Sequence, residues 1–141
     1  MKYLKIILTF GLIIMFFSCG FGESEEEELI NGYYIGWNDL EANRNIYIKD
    51  SSNPNIGQTI ISGYVYSVGF SDRFILAKSL PNAGNNAFRT YYILDTDGYY
   101  NTNLDNNNLR TFFDLDKFNE ALIKEGLDKI KFHKNYTLNP Y

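Results

Sequence analysis

Short apolar runs broken by turn-forming residues fill the middle of this chain and limit the folds open to it. The runs are rich in Tyr, Phe, Ile and Val, which favour strands, and their apolar residues largely alternate with polar ones. Asn, Pro, Ser and Gly fill the connections, where they favour tight turns. The runs occupy residues 31–38, 44–50, 59–70, 74–80 and 88–95. Short strands joined by such short connections predict an antiparallel meander.

The clearest hairpin of the sequence joins residues 64–70 to residues 74–80. Ser71–Arg73 supplies the turn, and the second strand is apolar almost throughout. Gly63 and Gly69 interrupt the first part of the pattern. A glycine within a strand marks a bulge or the close approach of another segment, so we expect one or the other at both positions.

The last third of the chain changes to helical periodicity. Leu115, Phe118 and Leu122 recur at spacings of three and four residues, which places them on one face of a helix. Asp114 is a suitable N-cap for this helix, and Gly126 follows its last turn as a left-handed terminating residue. The narrow apolar stripe predicts that the helix packs on a sheet as part of the core.

These patterns predict an α+β fold that is mainly β. We expect a single antiparallel meander sheet of about five strands, with one C-terminal helix packed on one face. A short edge strand at residues 129–133 would complete the sheet, because its lysines discourage pairing with other chains. The globular domain is predicted to span residues 31–141, after a leading segment of a different character.

The leading segment, residues 1–18, has the composition of an export signal. Lys2 and Lys5 precede the apolar run Ile6–Phe17, which ends at Ser18. A spanning helix needs about 20 apolar residues, so this run is too short to cross a bilayer. The segment is therefore predicted to be a targeting signal.

The end of the signal resembles the lipobox of bacterial lipoproteins, in which a bulky apolar residue, two further positions and a cysteine are recognised together. Here these residues are Phe16, Phe17, Ser18 and Cys19. The resemblance implies that the Cys19 thiol takes a diacylglyceryl group, that cleavage falls before Cys19, and that the new amine can be acylated. The membrane would then be a partner through lipidated Cys19. Since Cys19 is the only cysteine, an internal disulfide is excluded. Lipidation would consume its thiol, which also excludes a cysteine nucleophile and a thiolate metal site.

Residues 19–30 are predicted to form an acidic, solvated tether, because Glu25–Glu28 carry four consecutive like charges. The tether would keep the domain away from the lipid. Alternatively, Ser24 followed by acidic residues resembles the surface-export signal of lipoproteins in the Bacteroidetes group. The formal net charge of −4 makes nucleic acid an unsuitable partner.

Three stretches together resemble a family of small uncharacterised bacterial lipoproteins, known only as a domain of unknown function. They are "SVGFSDRFILAKSLP", "TYYILD" and "DLDKFNEALIKEGL". The similarity covers about residues 32–132. It implies the strand and helix order given above and a lipid anchor at the cell envelope, and it implies no activity.

The densest polar segment is Asp95–Asn108, where Asn101, Asn103 and Asp105 alternate as in an EF-hand loop. The first position of that template would hold Asn in place of Asp, and the twelfth would be Phe112 in place of Glu. A long turn between sheet and helix explains the composition better. His133 is the only histidine, so neither a zinc site of the usual kind nor a catalytic triad is predicted. We expect no enzyme activity, no cofactor and no metal.

Tyrosine doublets offer the remaining functional signal. Within a strand, Tyr33–Tyr34, Tyr91–Tyr92 and Tyr99–Tyr100 each send one ring to the core and the other to solvent or a partner. The outward rings are either ordinary cross-strand pairs or a patch that binds a protein or a glycan. The candidate binding residues are Tyr34, Tyr92, Asp95, Asp97, Asn101, Asn103 and Asp105.

The sequence therefore predicts a lipid-anchored cell-envelope protein that acts as a binding or interaction module. The alternative is a small anchored inhibitor or immunity-like protein, whose loop Asp95–Asn108 would block an incoming hydrolase.

Overall fold

The computed structural model describes residues 24–38, 40–49, 57–80, 88–97 and 108–137, which form two antiparallel sheets and one α-helix. The four-stranded sheet has the order β1-β2-β3-β4, with the bounds Ser24–Ile30, Tyr33–Asn38, Asn45–Lys49 and Gly57–Ile61. A single 3-10 turn, Glu41–Asn43, precedes β3. The five-stranded sheet has the order β8-β7-β6-β5-β9, formed by Leu109–Phe112, Thr90–Asp95, Phe74–Leu80, Tyr64–Phe70 and Lys134–Asn135. Helix α1 is Leu115–Glu125.

The fold is mainly β with one helix, as predicted, but the prediction of a single sheet is wrong. Strands β4 and β5 belong to different sheets, and the chain crosses between them at Gly63. Gly63 has a φ of 98°, a left-handed conformation that a side chain would strain. The next strand is then anchored by the Val65 amide, which donates to the Arg44 carbonyl at 2.9 Å. Gly63, which we expected to form a bulge or a close contact within one sheet, therefore lies where the chain passes from one sheet to the other.

The prediction of a solvated tether over residues 19–30 is wrong from Ser24 onward, because Ser24–Ile30 is strand β1. This strand pairs with β2 across a two-residue turn at Asn31 and Gly32, whose φ values are 50° and 79°. Positive φ at both positions gives a turn whose twist matches that of the flanking strands. The glutamates remain exposed as expected, while Leu29 is buried at the end of the strand.

Successive glutamates of β1 point to opposite sides of the strand, and a lysine lies on each side. On one side the Glu26 carboxylate bonds the Lys49 ammonium, and on the other Glu27 bonds Lys134 of β9. The Glu27 pair links the edge strands of the two sheets. Four consecutive glutamates are thus accommodated in a strand because neighbours along the chain face different partners.

The core between the sheets is built from the inward positions of both. Tyr33, Ile46, Val65, Val68 and Ile75 are each fully buried there. In β2 and β3 the register pairs Tyr33 with Ile48 and Ile35 with Ile46, so one face of the sheet is apolar. The alternation of apolar and polar residues along each strand accounts for this apolar layer, because residues two positions apart point to the same face of the sheet.

Helix α1 covers the other face of the five-stranded sheet. Phe118 and Leu122 are buried against Leu76, Tyr91 and Ile93. Its predicted ends are confirmed, because the Asp114 carboxylate accepts from the amides of Asp116 and Lys117, and Gly126 has a φ of 70°. Because the central strands are covered on both faces, they require apolar residues on both, which explains the nearly continuous apolar run of β6. No helix within the described ranges is long and apolar enough to cross a membrane.

The segment after the helix crosses β5 at Gly69 before reaching the edge of the sheet. A Cβ atom at Gly69 would lie 2.5 Å from the Lys131 carbonyl oxygen, which confirms the predicted close approach. The edge strand is β9, Lys134–Asn135, so its predicted position at residues 129–133 is wrong. Ser67 fixes the new position through its hydroxyl, which donates to the Asn135 side chain at 2.7 Å.

We expect Phe118→Ala to lower the free energy of unfolding by about 3–5 kcal/mol, because it leaves a cavity between α1 and the sheet. Phe118 is 1% exposed and packs on Tyr91 with ring centres 5.3 Å apart. Urea denaturation followed by circular dichroism measures the change. Ile123→Ala is the matched control on the same helix, where the side chain is 69% exposed and the expected change is within about 0.5 kcal/mol. Equal losses in the two variants would contradict the packing of α1 described above.

Candidate functional site

An open groove of about 770 Å³ lies on the outer face of the four-stranded sheet. The strand register shows which residues share this face, because Glu26 pairs with Gly36, Gly36 with Asn45, and Tyr47 with Thr59. These positions alternate with the buried ones, so their side chains point away from the core. The groove is lined by Glu26, Gly36, Trp37, Asn38, Asn43, Asn45, Tyr47, Lys49, Gly57, Thr59 and Gly63.

Two glycines on the strands that flank β3 give the groove its depth. A Cβ atom at Gly36 would lie 2.5 Å from the Glu25 carbonyl oxygen and 3.3 Å from the Tyr47 hydroxyl. A Cβ atom at Gly57 would lie 2.8 Å from the ring of Tyr47. The Tyr47 side chain therefore occupies space that only glycine leaves open on either side.

The Tyr47 ring is held within a cluster of four side chains, of which it is one. The ring stacks on Tyr34 with centres 5.9 Å apart and an interplanar angle of 21°. Its hydroxyl donates to the Glu26 carboxylate, and the Lys49 ammonium donates to the same carboxylate. Lys49 also lies 4.3 Å from the centre of the Tyr34 ring, a distance at which a cation is attracted to an aromatic face. We call Glu26, Tyr34, Tyr47 and Lys49 the outer cluster.

The outer cluster contains one negative and one positive charge at neutral pH. The hydrogen bond from Lys49, followed by that from Tyr47, lowers the pKa of the Glu26 carboxyl. Burial, followed by the hydrogen bond to Glu26, raises the pKa of the Tyr47 phenol. Glu26 is thus ionised and Tyr47 is neutral. Among the described residues of the lining, Glu26 and Lys49 are the charged ones, and their formal charges cancel.

Amide side chains complete the polar lining. The Asn45 side-chain oxygen accepts from the Gly63 amide at 3.1 Å. Trp37 also borders the groove, but its indole N–H donates to Glu25 at 3.4 Å, on the opposite face of the sheet. Amides both donate and accept hydrogen bonds, and the Tyr47 ring offers apolar surface. The lining is therefore suited to a ligand with many hydroxyl or amide groups.

Arg44 fixes the 3-10 turn that brings Asn43 to the groove. Its side chain is 2% exposed, donates to Glu41 at 2.8 Å, and lies 3.8 Å from the centre of the Tyr136 ring. Tyr136 follows β9, so this contact joins the turn to the far sheet. The buried cation thus positions one wall of the groove from beneath.

The structure brings one predicted binding residue, Tyr34, into the outer cluster. Tyr92 lies instead between the two sheets, half-buried against their core. Its neighbour Tyr91 is buried under α1 on the other face. The expectation that the second ring of this doublet faces solvent or a partner is wrong, because β7 is covered on both faces. For Tyr33–Tyr34 the expectation is confirmed, since Tyr33 is fully buried and Tyr34 lies on the outer face.

Arg73 binds both Asp95, the last residue of β7, and Asp97, which lies in the turn just after it. Arg73 donates to the two Asp95 oxygens at 2.9 and 2.6 Å and lies 3.2 Å from the Asp97 carboxylate. The hydrogen bonds from Arg73 lower the pKa of Asp95. Within the described part of the chain, no group of three or more His, Cys, Asp or Glu residues could hold a metal ion.

Several predicted residues lie outside the described residues. They are the targeting segment 1–18 with its lipobox residues Phe16, Phe17 and Ser18, the lipidation site Cys19, the loop residues Asn101, Asn103 and Asp105, and the doublet Tyr99–Tyr100. His133 is exposed, and its ring contacts Phe70 edge-on with centres 4.4 Å apart.

Most of the groove was not predicted. Tyr47 carried a signal, because it alternates with Ile46 and Ile48 and so had to lie on the polar face of its strand. Gly36 and Gly57 carried no such signal in the sequence. Each becomes a neighbour of Tyr47 only through strand pairing, Gly36 through the register of β2 with β3 and Gly57 through that of β3 with β4.

Comparison with known proteins places the chain in a family without an assigned activity. The profile described as "Protein of unknown function (DUF3997)" matches residues 30–136, and the chain belongs to this family. No curated protein matches the chain, and no solved structure matches it. The predicted resemblance to a family of unknown function is confirmed.

We expect Glu26→Gln to lower the melting temperature at pH 7 and to have little effect in acid. A lowered folded-state pKa means that ionised Glu26 stabilises the fold above its ordinary pKa of 4.5. The stabilisation is lost as the pH falls below 4.5 through the folded-state pKa. The difference in melting temperature between wild type and variant should therefore shrink from pH 5 to pH 2.

Glu28→Gln is the control on the same strand and the same face. Glu28 pairs with Tyr34 in the register but forms no ion pair within the described residues. A pH-dependent difference of equal size in this variant would contradict a specific role for the bonds of Glu26.

Proposed function

We propose that this member of the DUF3997 family is a lipid-anchored binding module of a bacterial cell envelope, and that it holds its ligand in the groove on the outer face of the four-stranded sheet. The groove is the observation that carries the proposal. Its glycine-lined floor gives access to the Tyr47 ring, and polar side chains from β1, β2, β3 and β4 surround it. Its volume of about 770 Å³ falls in the range of about 300–1,000 Å³ that is usual for small-molecule sites.

The chemistry of the groove favours binding over catalysis. A general acid or base works best with a pKa near the operating pH, whereas the pKa of Glu26 is lowered by the donors that already occupy it. The Tyr47 phenol has a raised pKa and its hydroxyl donates a hydrogen bond to Glu26, so Tyr47 is a poor nucleophile. The outer cluster therefore maintains the shape of the groove.

The proposed anchor would hold the groove close to the membrane. Strand β1 begins at Ser24, and residues 20–23 separate it from Cys19. Five extended residue steps reach at most about 18 Å. Ser24 pairs with Asn38, which lines the groove. The Asn38 end of the groove would therefore lie close to the lipid, at this distance plus the spacing between the paired strands.

We expect wild-type protein to incorporate labelled palmitate in growing cells and Cys19→Ala to incorporate none. Cys19 is the single thiol of the chain and the residue that the lipobox would modify. Ser18→Ala is the matched control, because alanine keeps a small residue before the cysteine and should leave labelling unchanged. Undiminished label in Cys19→Ala would remove the basis for the anchor.

We expect Thr59→Trp to abolish binding at the groove, because an indole added opposite Tyr47 would fill it. Full-length protein immobilised on beads is offered an envelope extract of the encoding organism, and the retained material is weighed. Capture should fall at least tenfold relative to wild type. Thr111→Trp is the matched control, since Thr111 is an exposed strand residue of the five-stranded sheet and lies away from the groove.

Melting temperatures of both variants should stay within a few degrees of wild type, which separates blocking from unfolding. If Thr59→Trp and wild type capture equal amounts, the groove is not the binding site and the proposal fails.

A further inference from the structure

We infer that the ligand of the groove is a neutral glycan. This inference rests on the proposed function, because it names the ligand class of the same site. It follows from three properties of the described lining, namely its cancelled charge, its amide groups and the Tyr47 ring.

The charge of the lining selects against ionic ligands. The Lys49 ammonium is already bonded to Glu26 and lies over the Tyr34 ring, so binding a phosphate or carboxylate would require it to leave both. The Glu26 carboxylate already accepts from Tyr47 and Lys49, so a basic peptide would find it occupied. Since an ion that enters the groove must lose water without gaining a free countercharge, a neutral ligand is favoured.

The hydrogen-bonding groups match neighbouring hydroxyls. Asn38, Asn43 and Asn45 line the groove together with the Thr59 hydroxyl. Each amide has one acceptor oxygen and two N–H donors, and each sugar hydroxyl both donates and accepts. An extended peptide, in contrast, would need the unpaired N–H and C=O groups of a sheet edge. Here the centre of the lining is the face of the sheet, where the backbone of β2 is paired with β1 and β3, and that of β3 with β2 and β4. Glu26 of β1 and Gly57 and Thr59 of β4 contribute from the edge strands.

The Tyr47 ring supplies the apolar part of the contact. A pyranose ring presents C–H groups on its faces and hydroxyls around its edge, so it can pack on an aromatic ring while its hydroxyls reach polar side chains. The Tyr47 ring is held by Tyr34 and Glu26. Because the Tyr47 ring is already fixed, a sugar that packs on it costs little side-chain entropy.

The experiment treats the envelope extract before it is offered to immobilised full-length protein. Periodate cleaves vicinal diols and so destroys glycans whose sugars carry them, whereas protease destroys proteins and peptides. We expect periodate to lower capture by wild-type protein at least tenfold and protease to leave capture unchanged. Captured material should also stay bound when NaCl is raised from 0.05 to 0.5 M, since salt screens only charged contacts.

The outcomes separate the inference from the proposed function. Capture that survives periodate, or that 0.5 M NaCl releases, overturns the neutral glycan while leaving the groove as a binding site if Thr59→Trp still fails to capture. Capture that is equal in wild type and Thr59→Trp, or absent from wild type, overturns the proposed function and the inference with it. Asn38→Ala should weaken periodate-sensitive capture at least threefold, whereas the control Asn119→Ala on the exposed side of α1 should not change it.

Discussion

Burial of the five-stranded sheet on both faces is the constraint on which the rest of the structure depends. Ile75, Ala77 and Leu94 pack toward the four-stranded sheet, while Leu76 and Ile93 pack under α1. Apolar residues on both faces of neighbouring strands cannot be satisfied by one covering layer. The chain therefore needs a second sheet on one side and a helix on the other, and it provides them from its N-terminal and C-terminal parts.

This arrangement leaves the outer face of the four-stranded sheet free to be polar. The inner face of that sheet already contributes Tyr33, Ile35 and Ile46 to the core, so stability does not require apolar residues outside. Glycines at positions 36 and 57 cost strand stability, and the fixed ring of Tyr47 between them offsets part of that cost by packing against both. A face that is dispensable for the core but maintained by an ordered cluster is where we place the binding site.

Features set by neighbouring residues could be predicted from the sequence, and features set by distant ones could not. The limits of α1 depend on Asp114 and Gly126, which act within one turn of the helix, and both were correctly assigned. The division into two sheets depends on where β5 finds its partners, and no local pattern at Gly63 distinguishes a change of sheet from a bulge. Strand β1 was missed because its glutamates indicate a solvated segment, although Asn31–Gly32 before the apolar alternation of β2 is the usual signal of a hairpin turn.

The tyrosine doublets show why the candidate site was only partly predictable. Alternation correctly separates the two rings of a doublet, but it cannot say whether the second face of the strand is open. For Tyr34 that face is solvent, since nothing covers β2 on its outer side within the described residues. For Tyr92 it is the core between the sheets. The number of layers that cover a strand thus decides whether its second aromatic ring serves packing or binding, and that number is a property of the whole fold.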